Sequence, residues 1–139
     1  INGDQNIDFE KKLLQINNEI SIFYSRYQLI DIEKYRGKKL FVVAGIGNPE
    51  NFFELIRSQN LNIIKKLSFP DHYQFSKSEI LNIIKDARKN GYQVVMTEKD
   101  YHRVKDYNFT EIHSIRVKLE IAEKKEFLNK VLTVYDKKN

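Results

Sequence analysis

The chain has 139 residues, of which 41% are hydrophobic and 31% charged, with 24 Lys and Arg set against 19 Asp and Glu for a net charge of +5. That balance suits one soluble globular domain with a real core and excludes a disordered chain. The absence of cysteine excludes disulfides, thiolate-bound zinc and thiol catalysis, and it suits a reducing cytoplasm.

The chain opens Ile1-Asn2-Gly3-Asp4 without a methionine, as a processed product or a piece of something longer would. Residues 1–15 carry acids and no continuous apolar run, unlike a signal peptide. Phe9, Leu13 and Ile16 or Leu14 share one face of a short helix over residues 8–18. Ile20 to Ile30 alternates β-branched and aromatic residues with polar ones, which predicts a strand. The charged stretch Asp31 to Gly37 then separates an N-terminal helix/strand arm, residues 1–37, from a compact unit, residues 38–139.

Inside that unit the pattern becomes regular. Leu40-Phe41-Val42-Val43-Ala44 is a continuous apolar run, expected of a parallel strand buried on both faces and far too short to cross a bilayer. Asn48 and Pro49 open a helix running to about Gln59, with Phe52, Phe53, Leu55 and Ile56 mostly on one side. Leu61 to Phe69 reads as the next strand. Ser76 and Glu79 form a capping box for a helix from about Lys77 to Lys89, which Asn90-Gly91 stops in a left-handed cap. Val94 to Thr97 and Ile115 to Ile121 read as strands. A closing helix from Glu123 to about Asp136 turns Phe127, Leu128, Val131 and Leu132 inward. The alternation predicts an α/β fold: a mostly parallel open sheet with right-handed crossovers and helices on both faces, in three layers. The basic residues are spread among acids, Lys124-Lys125 being followed at once by Glu126, and no nucleic-acid motif is present. The surplus charge therefore reads as a solvated surface, with no nucleic-acid partner expected.

Three loops stand directly behind apolar runs, where an open α/β sheet places its functional crevice. In Gly45-Ile46-Gly47-Asn48 the glycines allow tight turning, and the helix start offers N–H groups to an anion; turning a strand into a helix requires the same residues. In Phe69-Pro70-Asp71-His72 a carboxylate and an imidazole follow a stiffening proline. This suits general acid–base work, worth about 10²–10⁴ in rate, and equally suits a capping Asp beside a surface His. In Thr97-Glu98-Lys99-Asp100, Lys99 can meet a phosphate that Thr97 and Asp100 orient, or the group is a solvated charge cluster capping the next turn. His102 and His113 lack such a setting and read as surface or partly buried histidines. No metal-ligand spacing is present, so no metal site is expected.

Taken in order and spacing, Ala44 to Phe53, Phe69 to His72 and Thr97 to Asp100 resemble the C-terminal half of the tetraacyldisaccharide 4′-kinase (lipid A 4′-kinase) family, over about Ile20 to Val134. The resemblance implies transfer of the ATP γ-phosphate to the 4′-hydroxyl of tetraacyldisaccharide 1-phosphate, in lipid A biosynthesis. It also implies a peripheral protein on the cytoplasmic side of the bacterial inner membrane. Family members are built as two α/β domains joined by a two-stranded linker, part of which Ile20–Tyr27 resembles. Residues 38–139 would be the C-terminal domain, partnered by an N-terminal domain that carries the P-loop and most Mg²⁺ ligands. The chain contains no G-x-x-x-x-G-K-[ST], so it is expected to be inactive alone and to act with ATP and Mg²⁺ only in the full-length protein. His72 matches the family histidine that assists an aspartate of the other domain in deprotonating the sugar hydroxyl, and Asp71 is its neighbour. Gly45, Gly47, Asn48, Lys99 and Asp100 would line the cleft facing the nucleotide. Tyr73 stands where many relatives have a second histidine, and Ser76 replaces a usual threonine. The alternative from the residues themselves is a non-catalytic α/β module binding a nucleotide or anion in the crevice.

Overall fold

The computed structural model describes residues 1–136. Helix α1 (Ile7–Ile16) is followed by β1 (Ser25–Ile30), a 3₁₀ turn at Glu33–Tyr35, β2 (Lys39–Ala44), α2 (Pro49–Ser58) and β3 (Asn62–Ser68). Then come α3 (Lys77–Asn90), β4 (Gln93–Thr97), α4 (Glu98–Val104), a 3₁₀ turn at Lys105–Tyr107, β5 (Ile112–Ile121) and α5 (Lys124–Asp136). The strand order is β1-β5-β4-β2-β3. β2 pairs in parallel with both β3 and β4, and β4 in parallel with β5.

The continuous apolar run in β2 is explained by what it meets on each face. Leu40, Val42 and Ala44 pack with Phe52, Phe53 and Ile56 of α2, while Phe41 and Val43 pack with Ile80, Ile83, Ile84 and Ala87 of α3 and Val104 of α4. Helices thus cover both faces of a mostly parallel sheet, as an α/β fold requires. Helix ends obey local chemistry. Asn48 accepts from the Asn51 N–H to cap α2, with Pro49 at the first helical position; Ser76 and Glu79 form a reciprocal capping box on α3; Gly91, at φ 68°, ends α3 in the left-handed region.

Several expectations need correction. The strand expected from Ile20 begins only at Ser25. The stretch 31–37 is not a mere polar separator, because Ile32 and Tyr35 are buried and the Tyr35 hydroxyl donates to the Ser114 carbonyl at 2.8 Å. In keeping with that anchoring, the chain divides into two compact units at residues 28/29 and 117/118. One unit is Leu29–Val117, and the other joins Ile1–Gln28 to the segment from Lys118 on. Thr97 to Asp100 is not an open loop: Thr97 caps α4, and the next three residues form its first turn. Leu128, Val131 and Leu132 of α5, expected inward, are exposed, and only Phe127 is partly covered, edge-on to Phe23 at 5.4 Å.

Candidate functional site

Because β4, β2 and β3 are parallel neighbours, their carboxyl ends lie along one sheet edge, and the three chemistry-bearing segments emerge there together. The Phe69 N–H donates to the Ala44 carbonyl at 2.8 Å, which ties the segment after β3 to the end of β2. The Gly45 N–H donates to Asp100 Oδ2 at 2.9 Å, which ties β2 to α4. A Cβ on Gly45 would lie 3.2 Å from Asp100 Oδ1, 3.4 Å from the Phe75 ring and 3.5 Å from the Pro70 carbonyl. Only the contact with the buried Asp100 oxygen is tighter than ordinary packing, so glycine lets the segments approach here without displacing that carboxylate.

Asp100 is the centre of this convergence. Its side chain is 0% exposed, and both of its oxygens accept hydrogen bonds from donors of the site. Oδ2 accepts from the Gly45 N–H and from the Thr97 hydroxyl at 2.7 Å, and Oδ1 accepts from Arg103 Nη1 at 2.7 Å. Thr97 Oγ1 in turn accepts the Asp100 N–H at 3.1 Å. A carboxylate buried to this degree is tolerable only when paired and fully hydrogen-bonded, and losing one partner is costly. Arg103 Nη1 also donates to the Gly45 carbonyl at 3.3 Å, so both backbone polar groups of Gly45 are held.

Above this buried layer stands the Asp-His pair. Pro70 to Tyr73 closes a tight turn, with the Tyr73 N–H on the Pro70 carbonyl at 3.2 Å and His72 at φ 60°. The rings of Phe69, Tyr73 and Phe75 lie 4.5–5.2 Å apart and anchor the turn. Tyr73 also donates to Glu79 Oε1, so this residue, in place of a second histidine, serves packing and the start of α3. Asp71 Oδ1 accepts from the His72 N–H at 2.9 Å and from Lys99 Nζ at 3.3 Å. Partial desolvation pushes the Asp71 carboxyl up, but the Lys99 hydrogen bond, the His72 N–H and the charges of Lys99 and His72 together hold it below the usual range. The His72 ring lies between two cations: Nε2 is 3.3 Å from Lys99 Nζ and Nδ1 is 3.3 Å from Arg103 Nη2, with Asp71 Oδ2 3.8 Å from Nε2.

The sequence candidates therefore separate into two roles. His72, Asp71 and Lys99 form the exposed edge, and Gly47 lies beside it, a Cβ there standing 3.7 Å from Asp71 Oδ2. Gly45, Asn48 and Asp100 instead hold the scaffold. The Gly45 N–H is turned to Asp100, Asn48 Oδ1 caps α2, and both Asp100 oxygens are engaged. In this arrangement the polar groups of Gly45 and Asp100 are engaged, whereas the exposed Asn48 commits only its Oδ1. Arg103 was missed. Its signal, Asp-x-x-Arg on one helical face, is legible only once residues 98–104 are known to be a helix. His102 is exposed, and His113 stands within β5 opposite Val95, where burial and the nearby Lys34 charge push its imidazole down.

Chemically, the edge offers an imidazole, a carboxylate and two cations, which suits proton management beside an anionic ligand. Among the described residues no group of three or more His, Asp or Glu is placed to hold a metal ion.

Comparison with known proteins places this chain in a family. The family model for tetraacyldisaccharide-1-P 4′-kinase matches residues 4–136. The chain is similar to the tetraacyldisaccharide 4′-kinase of Pelagibacter ubique, with 32% identity over 140 residues, covering 99% of this chain and 45% of that protein. It is also similar to the enzyme of the same name from Agrobacterium fabrum, with 40% identity over 76 residues, 55% of this chain and 22% of the relative. In fold it matches the solved LpxK of Aquifex aeolicus, an "apo" form in complex with ATP, at a TM-score of 0.54 and 12% identity, over 94% of this chain and 45% of that one. The chain thus spans about half the length of the relatives it matches most fully. On the strength of the family match across nearly all of its length, the chain belongs to the tetraacyldisaccharide-1-P 4′-kinase family.

Proposed function

We propose that this chain supplies the C-terminal half of a tetraacyldisaccharide 4′-kinase, which phosphorylates the 4′-hydroxyl of tetraacyldisaccharide 1-phosphate with ATP at the cytoplasmic side of the bacterial inner membrane. The observation that carries the reading is the meeting of His72, Asp71 and Lys99 within 3.3–3.8 Å at one sheet edge, in a chain of this family. The phosphate-binding loop and the Mg²⁺ ligands belong to the other half, since the chain has no G-x-x-x-x-G-K-[ST] and its described residues present no metal cluster.

In this scheme His72 faces the cleft between the halves and assists an aspartate of the P-loop half as that carboxylate takes the proton of the sugar hydroxyl. Asp71 and Lys99 set the charge around the ring, and Gly47 leaves room for approach. Gly45, Asn48 and Asp100 fix the edge from behind. The isolated chain is expected to be inactive, because its sequence has no G-x-x-x-x-G-K-[ST] to cradle ATP phosphates. The test is complementation. Supplying the P-loop half of a relative restores ATP-dependent 4′-phosphorylation, and His72→Ala in the restored enzyme lowers kcat by about 10²-fold or more, the range for a positioned proton-transfer group. A kcat within about twofold of the parent would remove His72 from the reaction. Turnover by the chain alone, or tight ATP binding without the other half, would point to the crevice as a self-sufficient nucleotide module instead.

A further inference from the structure

Arg103 is the one guanidinium inside the site, and it is held from both sides. Its side chain is only 14% exposed, Nη1 lies on buried Asp100 and on the Gly45 carbonyl, and Nη2 lies 3.3 Å from His72 Nδ1. Lys99 approaches the other ring nitrogen, Nε2, also at 3.3 Å. Arg and Lys carry donors only, whereas a neutral imidazole has one acceptor nitrogen and one N–H. Only one of the two contacts is therefore a hydrogen bond. Lys99 has an alternative acceptor, Asp71 Oδ1 at 3.3 Å, on a half-exposed flexible stem. Arg103 has no such freedom, because Asp100 and Gly45 fix its other arm. The fixed donor decides the proton's place.

We propose that Arg103 is a positioning residue for His72: anchored by Asp100, it donates to Nδ1 and so fixes His72 as the tautomer that carries its proton on Nε2. Resting on the kinase reading, this assigns His72 the role of hydrogen-bond donor. The sugar O–H bond breaks and its proton passes to the partner half's carboxylate, which the Nε2–H orients. His72 itself neither gains nor loses a proton, since its free lone pair is committed to Arg103.

The test needs no kinase activity. In the ¹⁵N-labelled chain at neutral pH, long-range imidazole correlations, with His72 assigned by its loss in His72→Gln, are expected to show an unprotonated, hydrogen-bonded Nδ1 and a protonated Nε2. Arg103→Lys keeps a cation for Asp100 but has a single nitrogen and no second arm. It is expected to move the Nδ1 resonance, while Lys99→Met leaves it in place. A proton on Nδ1 in the unmodified chain overturns the proposal without reference to any variant. So does an unmoved Nδ1 in a folded Arg103→Lys, or an equal shift in Lys99→Met. In the complemented enzyme Arg103→Lys lowers kcat about tenfold to a hundredfold at nearly constant KM, the scale of a small misplacement of a reacting group. Altered tautomer with unchanged kcat would instead sink the kinase role of His72 and leave Arg103's hold on it standing.

Discussion

His72 adopts φ 60°, a conformation that costs a residue with a Cβ about 1–2 kcal/mol and that glycine adopts freely. The turn has local means to hold it: the Asp71 carboxylate takes the His72 N–H, the Pro70 carbonyl takes the Tyr73 N–H, and three stacked rings pin the flanks. Two substitutions separate backbone from side chain. Both His72→Ala and His72→Gly remove the imidazole, but only glycine relieves the turn, so His72→Gly is expected to be about 1 kcal/mol more stable than His72→Ala in urea unfolding. Equal stabilities, or a more stable alanine variant, would mean that the turn carries no such strain. At this scale the sequence made His72, Asp71 and Lys99 visible as chemistry. It did not reveal that Asp100 faces inward, because burial of a charged side chain depends on Gly45 and Arg103, 55 residues before it and three after.

Among the elements, α3 shows how fully local chemistry can specify a boundary. Ser76 caps the Glu79 N–H, Glu79 returns to the Ser76 N–H and hydroxyl, and Tyr73 adds its own hydroxyl. The Ser76 hydroxyl, then Tyr73, then the Ser76 N–H hold the Glu79 carboxyl below the ordinary glutamate range. A carboxyl depressed in the folded state takes up its proton more readily once unfolded. Its stabilisation is therefore complete above the unfolded value and is lost as pH falls through the lower folded one. Ser76→Ala is accordingly expected to cost about 0.5–2 kcal/mol at neutral pH, with its melting-temperature gap from the parent closing in acid. A gap that stays constant from neutral to strongly acidic solution would show that Glu79's charge plays no part in the cap. Elements with such signals, β2, α2, α3 and the Gly91 stop, were legible almost to the residue. α4 was not, because seven residues spanning Glu98 to Val104 hold too few apolar positions to show a period. α5 shows the opposite failure. Its Leu128, Val131 and Leu132 have helical spacing, but spacing cannot say whether anything covers the stripe, and here it is exposed.

Over the whole chain, stability is distributed very unevenly. All the buried hydrophobic side chains fall between Leu29 and Ile115, within the unit Leu29–Val117. The unit made of residues 1–28 and the segment from Lys118 on contributes none of them among the described residues. Helix α1 buries no side chain, and Ile16 at its end is 83% exposed. What holds that unit is mostly polar and solvent-facing, namely the Arg26–Asp4 ion pair at 2.8 Å, Asn2 bridged to Ser25 and the Tyr24 hydroxyl on the backbone of Asn6, with the half-buried Phe23–Phe127 pair as an apolar addition. Exposed ion pairs contribute on the order of 0–1 kcal/mol each, whereas a fully buried Phe or Ile contributes about 1.5–3. Local opening free energies follow such differences, from near zero at sparsely packed segments to the global value in the core. Amide hydrogen exchange on the intact chain is therefore expected to go to completion first in α1, Ser25–Gln28 and α5, and last in β2, α3 and β4. Low concentrations of urea should accelerate exchange in the second group only, because opening the first exposes little new surface. Equal protection across both groups would mean that residues 1–28 and the C-terminal segment unfold only with the core, and that the contacts named above hold them far more strongly than exposed polar pairs can.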